Sequence, residues 1–367
     1  MTNYIYQIEG WPRFTWDSQK LSKVLAAVRH RQGRFIGRME SLGFNLREEA
    51  MLQTLTIDIL KSNEIEGELL NPDQVRSSLA RRLGIDIAGL IPSDRHVEGI
   101  VEMMLDATQK FTEALTGDRL FGWHASLFPA GHSGIHKITV GHWRNGPMQV
   151  VSGPMGRERI HYEAPEAVVL ESEMQQFINW FNSAPDIDPV LVAAIAHLWF
   201  VTVHPFDDGN GRIARAIADL QLSRADGTSQ RFYSMSAQIQ KERNAYYNIL
   251  ESTQKGMMDI TPWLDWFLNC LDRAIDATES ILATVISKAK FWESHAGINL
   301  NQRQRLMLNK LLDGFDGKLT SSKWAKIAKC STDTALRDIQ ELTEHHILQK
   351  EDAGGRSTNY ILKNINP

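Results

Sequence analysis

One segment, His204 to Arg215, constrains the fold and chemistry of this chain more than any other. It reads His-Pro-Phe-Asp-Asp-Gly-Asn-Gly-Arg-Ile-Ala-Arg. The residues before it, 190–203, are apolar enough for a buried helix, which we expect Pro205 to end just after the histidine. After Gly211, apolar residues recur at helical spacing and predict a second helix. The segment therefore joins a loop to a helix N-terminus, where phosphate binds readily.

The residue types in this segment suit a nucleoside triphosphate. His204, with an ordinary pKa of about 6.5, can take a proton from a hydroxyl near neutral pH. Asp208 offers a hard oxygen for Mg²⁺, which uses few protein ligands together with phosphate oxygens. Arg212 and Arg215 share a helical face and can fork onto phosphate oxygens. The segment is neither a P-loop nor a dinucleotide fingerprint. The plainer alternative is a helix corner with a capping aspartate and two surface arginines.

The complete set of positions resembles the signature of the Fic-domain family, His-Pro-Phe-x-Asp/Glu-Gly-Asn-Gly-Arg-x-x-Arg. The resemblance implies a mostly helical catalytic domain that transfers AMP from ATP to a hydroxyl side chain of a protein. It implies that His204 is the general base, that Asp208 holds Mg²⁺ (or Mn²⁺), and that Arg215 holds the γ-phosphate. The other implied nucleotide contacts, of which the glycine-rich part cradles the α- and β-phosphates, are Gly209, Asn210, Gly211, Arg212, Ile213 and Ala214.

A second segment, Ser62 to Gly67, lies far upstream and reads Ser-Asn-Glu-Ile-Glu-Gly. It is similar to the family's inhibitory motif, Ser/Thr-x-x-x-Glu-Gly/Asn. This similarity implies an inhibitory role for Ser62, Glu66 and Gly67, in which the Glu66 carboxylate pairs with Arg215 in place of the γ-phosphate. Taken alone, Asn63 with Glu66 three residues later also fits a capping box at the start of a helix.

A β-hairpin is predicted around Asn145-Gly146, because β-branched residues alternate on both sides of this strong turn signal. The Fic family has a flap of this kind over its active site, where it pairs with the backbone of the target. The alternative is an ordinary surface hairpin. The flap residues that the resemblance places at the nucleotide are Val140, Gly141, His142 and Trp143.

Further on, a tyrosine-rich stretch resembles the family's adenine-side helix. There Tyr246, and Gln254 two turns later, would face the nucleoside. Tyrosines at helical spacing belong more often to a core than to a ligand site, and this alternative stays open.

Composition indicates a soluble, cytoplasmic enzyme. The chain has 367 residues, of which 43% are apolar and 23% charged, enough for two or three domains. The net charge of −4 gives no general attraction to nucleic acid or anionic membrane. Cys270 and Cys330 form no metal or disulfide pattern, which favours a reducing compartment. The start of the chain lacks the features of a signal peptide, and no apolar run near the motif is long enough for a membrane span.

We expect a mainly α fold with three regions. Residues 1–90 are predicted as a helical module that carries the inhibitory motif, and 91–290 as the Fic catalytic bundle with its hairpin flap. Residues 296–367 resemble a small winged-helix-like domain, with three short helices and two strands flanking Ala353-Gly354-Gly355-Arg356.

The tail is not expected to bind DNA. Its third helix would be the reading helix, and four carboxylates there would oppose binding to phosphates. A docking role, or one in forming a homodimer, fits this charge better. The charged residues of the helix are Asp333, Arg337, Asp338, Glu341 and Glu344.

The sequence thus predicts a protein adenylyltransferase that modifies a serine, threonine or tyrosine of an unknown target protein and of itself, using ATP, and that Glu66 restrains. One alternative is a DNA-binding regulator whose Fic portion senses nucleotide. Another is a Fic enzyme that also removes AMP. The intact catalytic set favours the transferase, because a sensor has no use for His204.

Overall fold

The computed structural model describes residues 4–87, 89–153, 157, 159–315, 317–351 and 358–363. The fold is mainly helical, as predicted. It divides into two compact units, of which the first comprises Met1–Leu83 with Pro92–Glu279 and the second Gly84–Ile91 with Ser280–Pro367. Within the described residues, no helix combines the length and apolarity needed to cross a membrane.

Helices make up most of the first unit, and its strands form two short antiparallel pairs. The helices are α1 Ser18–Glu40, α2 Phe44–Ile65, α3 Pro72–Leu83, α4 Arg95–Gln109, α5 Gly117–Leu127, α6 Leu170–Asn182, α7 Pro189–Val203, α8 Asn210–Asp226, α9 Met235–Lys241, α10 Arg243–Gln254 and the start of α11 Thr261–Ser294. The strands are β1 His132–Ser133, β2 His136–Lys137, β3 Gln149–Ser152 and β4 Arg159–Glu163.

Helices α7 and α8 pack against each other in the core of this unit. Pro189 starts α7, and the Asp188 side chain caps it by accepting from the backbone N–H of Val190 at 2.8 Å. All residues of α7 after the first are buried. The helix ends at Val203 with His204 as its C-cap, one residue earlier than predicted.

Helix α2 packs against both α8 and α9, so the end of α2 is fixed beside the start of α8. The buried Asp58 carboxylate accepts from the Ser234 hydroxyl at 2.5 Å and from the backbone N–H of Ser236 at 3.2 Å. These bonds tie the middle of α2 to the first turn of α9. The helix that leads into the Ser62–Gly67 segment is therefore fixed in place.

The hairpin predicted around Asn145-Gly146 is wrong in position. Residues 138–148 form no strand, and β3 pairs instead with β4 farther along the chain. The reason is Arg144, whose buried guanidinium donates to the carbonyls of Gly146 at 2.6 Å and His204 at 2.9 Å. Because the side chain holds both its own turn and a distant loop, residues 143–146 cannot serve as a simple hairpin turn.

After the end of α11, the second unit has the three helices and the strand pair in the predicted order: α12 Gln302–Leu312, α13 Ser321–Ile327, α14 Thr332–Glu344, β5 Leu348–Lys350 and β6 Tyr360–Leu362. Their core is centred on the buried Trp324, Met307 and Ile339. The winged-helix assignment stays a prediction, and the loop 353–356 lies outside the described residues.

Not all four carboxylates of α14 face outward, contrary to the expectation from the sequence. Asp338 is buried and accepts from the Arg303 guanidinium at 2.8 and 2.9 Å, and Glu341 accepts from the Gln304 amide at 2.8 Å. Two of the four carboxylates are thus bonded to α12 rather than directed outward. Repulsion of phosphates by this helix is weaker than the sequence suggested.

Candidate functional site

The loop between α7 and α8 is held in one conformation by the Asn210 side chain. Its Oδ1 accepts from the backbone N–H of Phe206 at 3.0 Å, and its Nδ2 donates to the carbonyl of Phe206 at 2.8 Å. The Phe206 ring is fully buried and stacks on His124 at 4.2 Å between centroids. Asn210 can therefore offer a ligand its backbone N–H at the start of α8, while its side chain is used within the loop.

His204 closes α7 in a left-handed conformation, with φ 51°. Its Nδ1 bonds to the Val201 carbonyl at 3.1 Å, and since a carbonyl only accepts, Nδ1 must carry the proton. In the neutral ring, Nε2 therefore keeps its lone pair. Burial lowers the pKa of His204 below its ordinary value, although the Val201 carbonyl acts in the opposite direction. The ring is thus in the form that can accept a proton near neutral pH.

Two adjacent aspartates fasten this loop to neighbouring segments. Asp208 accepts from the backbone N–H of Gly209 at 2.6 Å and from the Ser133 hydroxyl, and Asp207 accepts from the backbone N–H of Thr139 at 2.8 Å. Among the described residues, no three His, Cys, Asp or Glu side chains are grouped to hold a metal. A cation at Asp208 would thus need oxygens from a ligand and water, the arrangement that Mg²⁺ takes with phosphates.

Arg215 is buried, with 2% of its side chain exposed, and is paired with the end of α2. Its Nε donates to the Ser62 hydroxyl at 2.9 Å, and its Nη2 donates at 2.8 Å to both the Ser62 carbonyl and Oε1 of Glu66. A methyl group added at Gly211 would lie 2.3 Å from Oε1 of Glu66. The carboxylate therefore fills the space over the glycine-rich start of α8, where an anion would bind.

The capping-box alternative for this segment is wrong. Asn63 lies in the last turn of α2, where its side-chain amide donates to the Ile59 carbonyl at 2.8 Å. The Asn63 carbonyl then accepts from the backbone N–H groups of Glu66 and Glu68, both at 3.0 Å. The segment therefore ends a helix, and Gly67, with φ 84°, reverses the chain behind it.

Arg212 lies one turn before Arg215 and is paired with a carboxylate that the sequence reasoning missed. Its Nη1 donates to Oε2 of Glu68 at 2.9 Å, and its guanidinium lies over the Phe128 ring at 5.1 Å. Both signature arginines thus meet carboxylates from the end of α2. The signal was present in the Glu-Gly-Glu sequence, but only Glu66 matches the inhibitory motif.

Residues 140–143 lie beside the loop without forming a strand. The backbone N–H of Gly141 donates to Nδ1 of His124 at 3.1 Å, and the Trp143 ring lies 5.0 Å from the Phe206 ring. His142 lies 5.7 Å from the Phe121 ring. This segment is attached to the back of the loop, and its contact with nucleotide stays a prediction.

Four residues assigned to the nucleotide have buried side chains. Tyr246 bonds to Nε2 of His197 at 2.9 Å, and Gln254 donates to the Val201 carbonyl at 3.3 Å. The side chains of Ile213 and Ala214 lie in the core between helices. All four side chains pack in the core of this structure, and their contact with a nucleotide stays a prediction.

Gly209 adopts a left-handed backbone conformation in a crowded part of the loop, and a substitution there tests whether the loop requires glycine. Its φ is 80°, and a Cβ atom there would lie 2.9 Å from the Phe128 ring and 3.1 Å from Leu127. We expect Gly209→Ala to lower the free energy of unfolding by roughly 1–3 kcal/mol. The matched control is Gly122→Ala on α5, where a Cβ meets nothing within 4 Å. Urea unfolding of both variants measures the difference, and equal stability would contradict the steric argument.

The loop and both arginines lie within residues 114–222, which match the family model described as the Fic/DOC family. This region is a Fic domain. Residues 4–85 match a second family model, a domain of unknown function named DUF4172, which is consistent with the N-terminal helical module.

Relatives of this Fic domain include named enzymes. A protein named "Protein adenylyltransferase Fic" from Drosophila yakuba is 28% identical over 254 residues, which are 67% of this chain and 47% of the relative. A protein of the same name from Nematostella vectensis is 29% identical over 225 residues, 60% of this chain and 47% of the relative. The chain thus spans about half the length of the curated relatives it matches.

Two solved structures share the fold. A Fic family protein from Desulfovibrio desulfuricans is similar with a TM-score of 0.55 and 19% identity, covering 97% of this chain and 99% of its own. A Fic domain containing signaling protein from Bacteroides thetaiotaomicron gives a TM-score of 0.52 and 20% identity, covering 70% and 97%. At these identities the likeness concerns the fold.

Besides Glu68, the Fic loop has supporting residues that sequence reasoning did not identify. They are His124, which stacks under Phe206, Ser133, which bonds Asp208, and Thr139, whose backbone bonds Asp207. Burial lowers the pKa of His124 to about 4, so this ring is neutral under the loop. None of these residues forms a motif with the signature, because their contacts depend on the folding of α5 and the strands against α7 and α8.

Proposed function

We propose that this chain is a protein adenylyltransferase, which transfers AMP from ATP to a serine, threonine or tyrosine hydroxyl of a target protein and of itself. The Fic domain and the names of the relatives support this proposal. The observation that carries it is the state of His204, whose Nε2 keeps a free lone pair beside an anion-binding helix start. A protein that only binds nucleotide needs the helix start but no base.

The chemistry then assigns a task to each group. The backbone N–H groups of residues 209–211 and the guanidinium of Arg212 bind phosphates, and Arg215 binds the γ-phosphate. The hydroxyl oxygen of the target attacks the α-phosphorus, and Nε2 of His204 takes the hydroxyl proton. The bond from the α-phosphorus to its bridging oxygen breaks, and pyrophosphate leaves.

A divalent cation fits this scheme at Asp208. Its carboxylate is a hard oxygen donor at the mouth of the loop, and the Ser133 hydroxyl and Gly209 N–H orient it. Mg²⁺, or Mn²⁺ in its place, would neutralise charge on the phosphate oxygens when bound. The residues of this chain would hold it through a single carboxylate, with the nucleotide supplying further oxygens.

Glu66 restrains the reaction in this proposal. Its carboxylate pairs with Arg215 and lies over Gly211, and both contacts support the view that it excludes a γ-phosphate. ATP bound without that anchor would present its α-phosphorus poorly to a hydroxyl. Misplacement by about 1 Å can cost on the order of 10²-fold in rate.

Intact-mass measurement tests reaction and restraint together. Purified protein is incubated with ATP and Mg²⁺, as wild type and as Glu66→Gly, with His204→Ala in the Glu66→Gly background as the control. We expect Glu66→Gly to gain the mass of one or more AMP groups, wild type to gain much less, and the control none. Absence of AMP on every variant, with a range of added proteins also unmodified, would count against the proposed activity.

The remaining expectations stay predictions. They are a cytoplasmic location, a homodimer, and a docking role for the second unit.

Removal of AMP by the same site, with Glu66 positioning water, is the alternative reaction. Incubating AMP-modified protein with the wild type and with Glu66→Gly distinguishes it, since only the wild type would then release AMP.

A further inference from the structure

Glu68 lies two residues beyond Glu66, at the other side of the tight turn made by Gly67. The turn sends both carboxylates toward α8, Glu66 to Arg215 and Glu68 to Arg212. The two arginines are three residues apart and lie on one face of α8, so each can pair with one of the two carboxylates. The end of α2 therefore presents two negative charges to two guanidiniums.

The Arg212 side chain is buried, with 6% of its surface exposed, whereas that of Glu68 is 36% exposed. Apart from Glu68, the described groups that contact the Arg212 guanidinium carry no negative charge. Asn63 Oδ1 lies 3.4 Å from Nη1, the Phe128 ring covers one face, and Nε is buried without a hydrogen-bond partner among the described residues. Burial of an arginine without a carboxylate or phosphate is costly, so the guanidinium will keep Glu68 unless another anion replaces it.

Glu68 is also held from its other side. Its Oε1 bonds to Nε2 of His96, in the first turn of α4, behind the Asp94 cap. This hydrogen bond lowers the pKa of the Glu68 carboxyl and raises the pKa of His96. The carboxylate is therefore ionised and oriented between two donors, rather than free in solvent.

We propose that Glu68 is a second inhibitory carboxylate, which occupies the place of a phosphate at Arg212 and weakens the binding of nucleoside diphosphates as well as triphosphates. The inference rests on the proposed function of this site, because it assumes that Arg212 binds phosphate. Glu66 competes with the γ-phosphate at Arg215, whereas Glu68 competes with a phosphate nearer the nucleoside. The two carboxylates together replace a polyphosphate rather than a single group.

A comparison of ADP with ATP binding distinguishes the roles of Glu66 and Glu68, because ADP lacks the γ-phosphate. The dissociation constants of ADP and ATP are measured by titration calorimetry with Mg²⁺ on full-length protein. The variants are Glu68→Gln, Glu68→Ala, Glu66→Gln and the control Glu64→Gln, whose carboxylate bonds to Lys61 and Gln240 instead. Thermal melting of each variant confirms that it is folded.

We expect both Glu68 variants to bind ADP and ATP about two- to fivefold more tightly than wild type, the effect of removing a partly exposed competing charge. Glu66→Gln should tighten ATP binding and change ADP binding little, and Glu64→Gln should change neither.

If ADP affinity in folded Glu68 variants equals that of Glu64→Gln, the inference is overturned while the proposed function stands. If no variant binds nucleotide, both are overturned. If Glu68 variants bind ADP more tightly but no variant transfers AMP, the inference stands and the proposed transfer fails.

Discussion

Replacing His204 is expected to abolish AMP transfer while leaving nucleotide affinity nearly unchanged. The loss of a general base typically costs about 10²–10⁴-fold in rate. Binding survives because the proposed phosphate contacts come from residues 209–215, whereas the His204 ring bonds to the Val201 carbonyl in α7. The measurement compares the transfer rate and the ATP dissociation constant in the Glu66→Gly background, where transfer is fast enough to quantify.

The choice of substitution matters, because His204 has φ 51° and an alanine there is strained. Asparagine tolerates this backbone conformation and has no base, so His204→Asn is the better-folded companion to His204→Ala. Both should be inactive. Transfer at the unmutated rate in either variant removes His204 from the mechanism.

The direction of the His204 pKa shift adds a pH test to the same experiment. Burial lowers this pKa below its ordinary value of 6.5. The ring is thus neutral at pH 7, and the base form is lost only as the pH falls through the lowered value. The transfer rate in Glu66→Gly should therefore be flat around neutral pH and decrease on the acid side.

Glu66→Gly is expected to raise the rate of self-modification on the order of 10²-fold, because ATP can then place its γ-phosphate at Arg215. Arg215→Ala should lower the rate although it breaks the same ion pair, since the γ-phosphate loses its partner. The double variant should behave like Arg215→Ala. Rates are measured at saturating ATP by incorporation of labelled AMP.

Glu66→Gln serves as the matched variant for this pair. It removes the charge and keeps the size, so its activation should be smaller than that of glycine. An unchanged rate in folded Glu66→Gly at saturating ATP would show that the contact with Arg215 has only a structural role.

The sequence predicted the central loop well because its signals are local. Pro205 cannot continue α7, and Gly209 allows the left-handed turn before α8, so both helix ends follow from single residues. The pairing of Glu66 with Arg215 was implied by the resemblance of two short segments to the family's inhibitory and catalytic motifs. The structure places Oε1 of Glu66 2.8 Å from Nη2 of Arg215.

The failures share a physical cause, which is that tertiary contacts override local patterns. Arg144 looked like a residue before a turn, but its guanidinium is bound by carbonyls from distant parts of the chain. Tyr246 and Gln254 were assigned by resemblance alone; both side chains are buried here, and their contact with a nucleoside stays a prediction. Glu68 stands in the visible Glu-Gly-Glu sequence, but its pairing could not be predicted because it depends on Arg212 lying across from it in the fold.

In the proposed enzyme, the turn at Gly67 makes the blocking carboxylates part of the same chain as the site, and this sets how nucleotide can displace them. A free inhibitor can be diluted, whereas a carboxylate on a short tether keeps a constant effective concentration, of millimolar order or higher. ATP must therefore compete with a charge whose concentration never changes, and occupancy of the site follows the ATP concentration relative to that fixed value. Both carboxylates lie beyond Ile65, the last residue of α2, so we expect them to leave the site without unwinding of this helix.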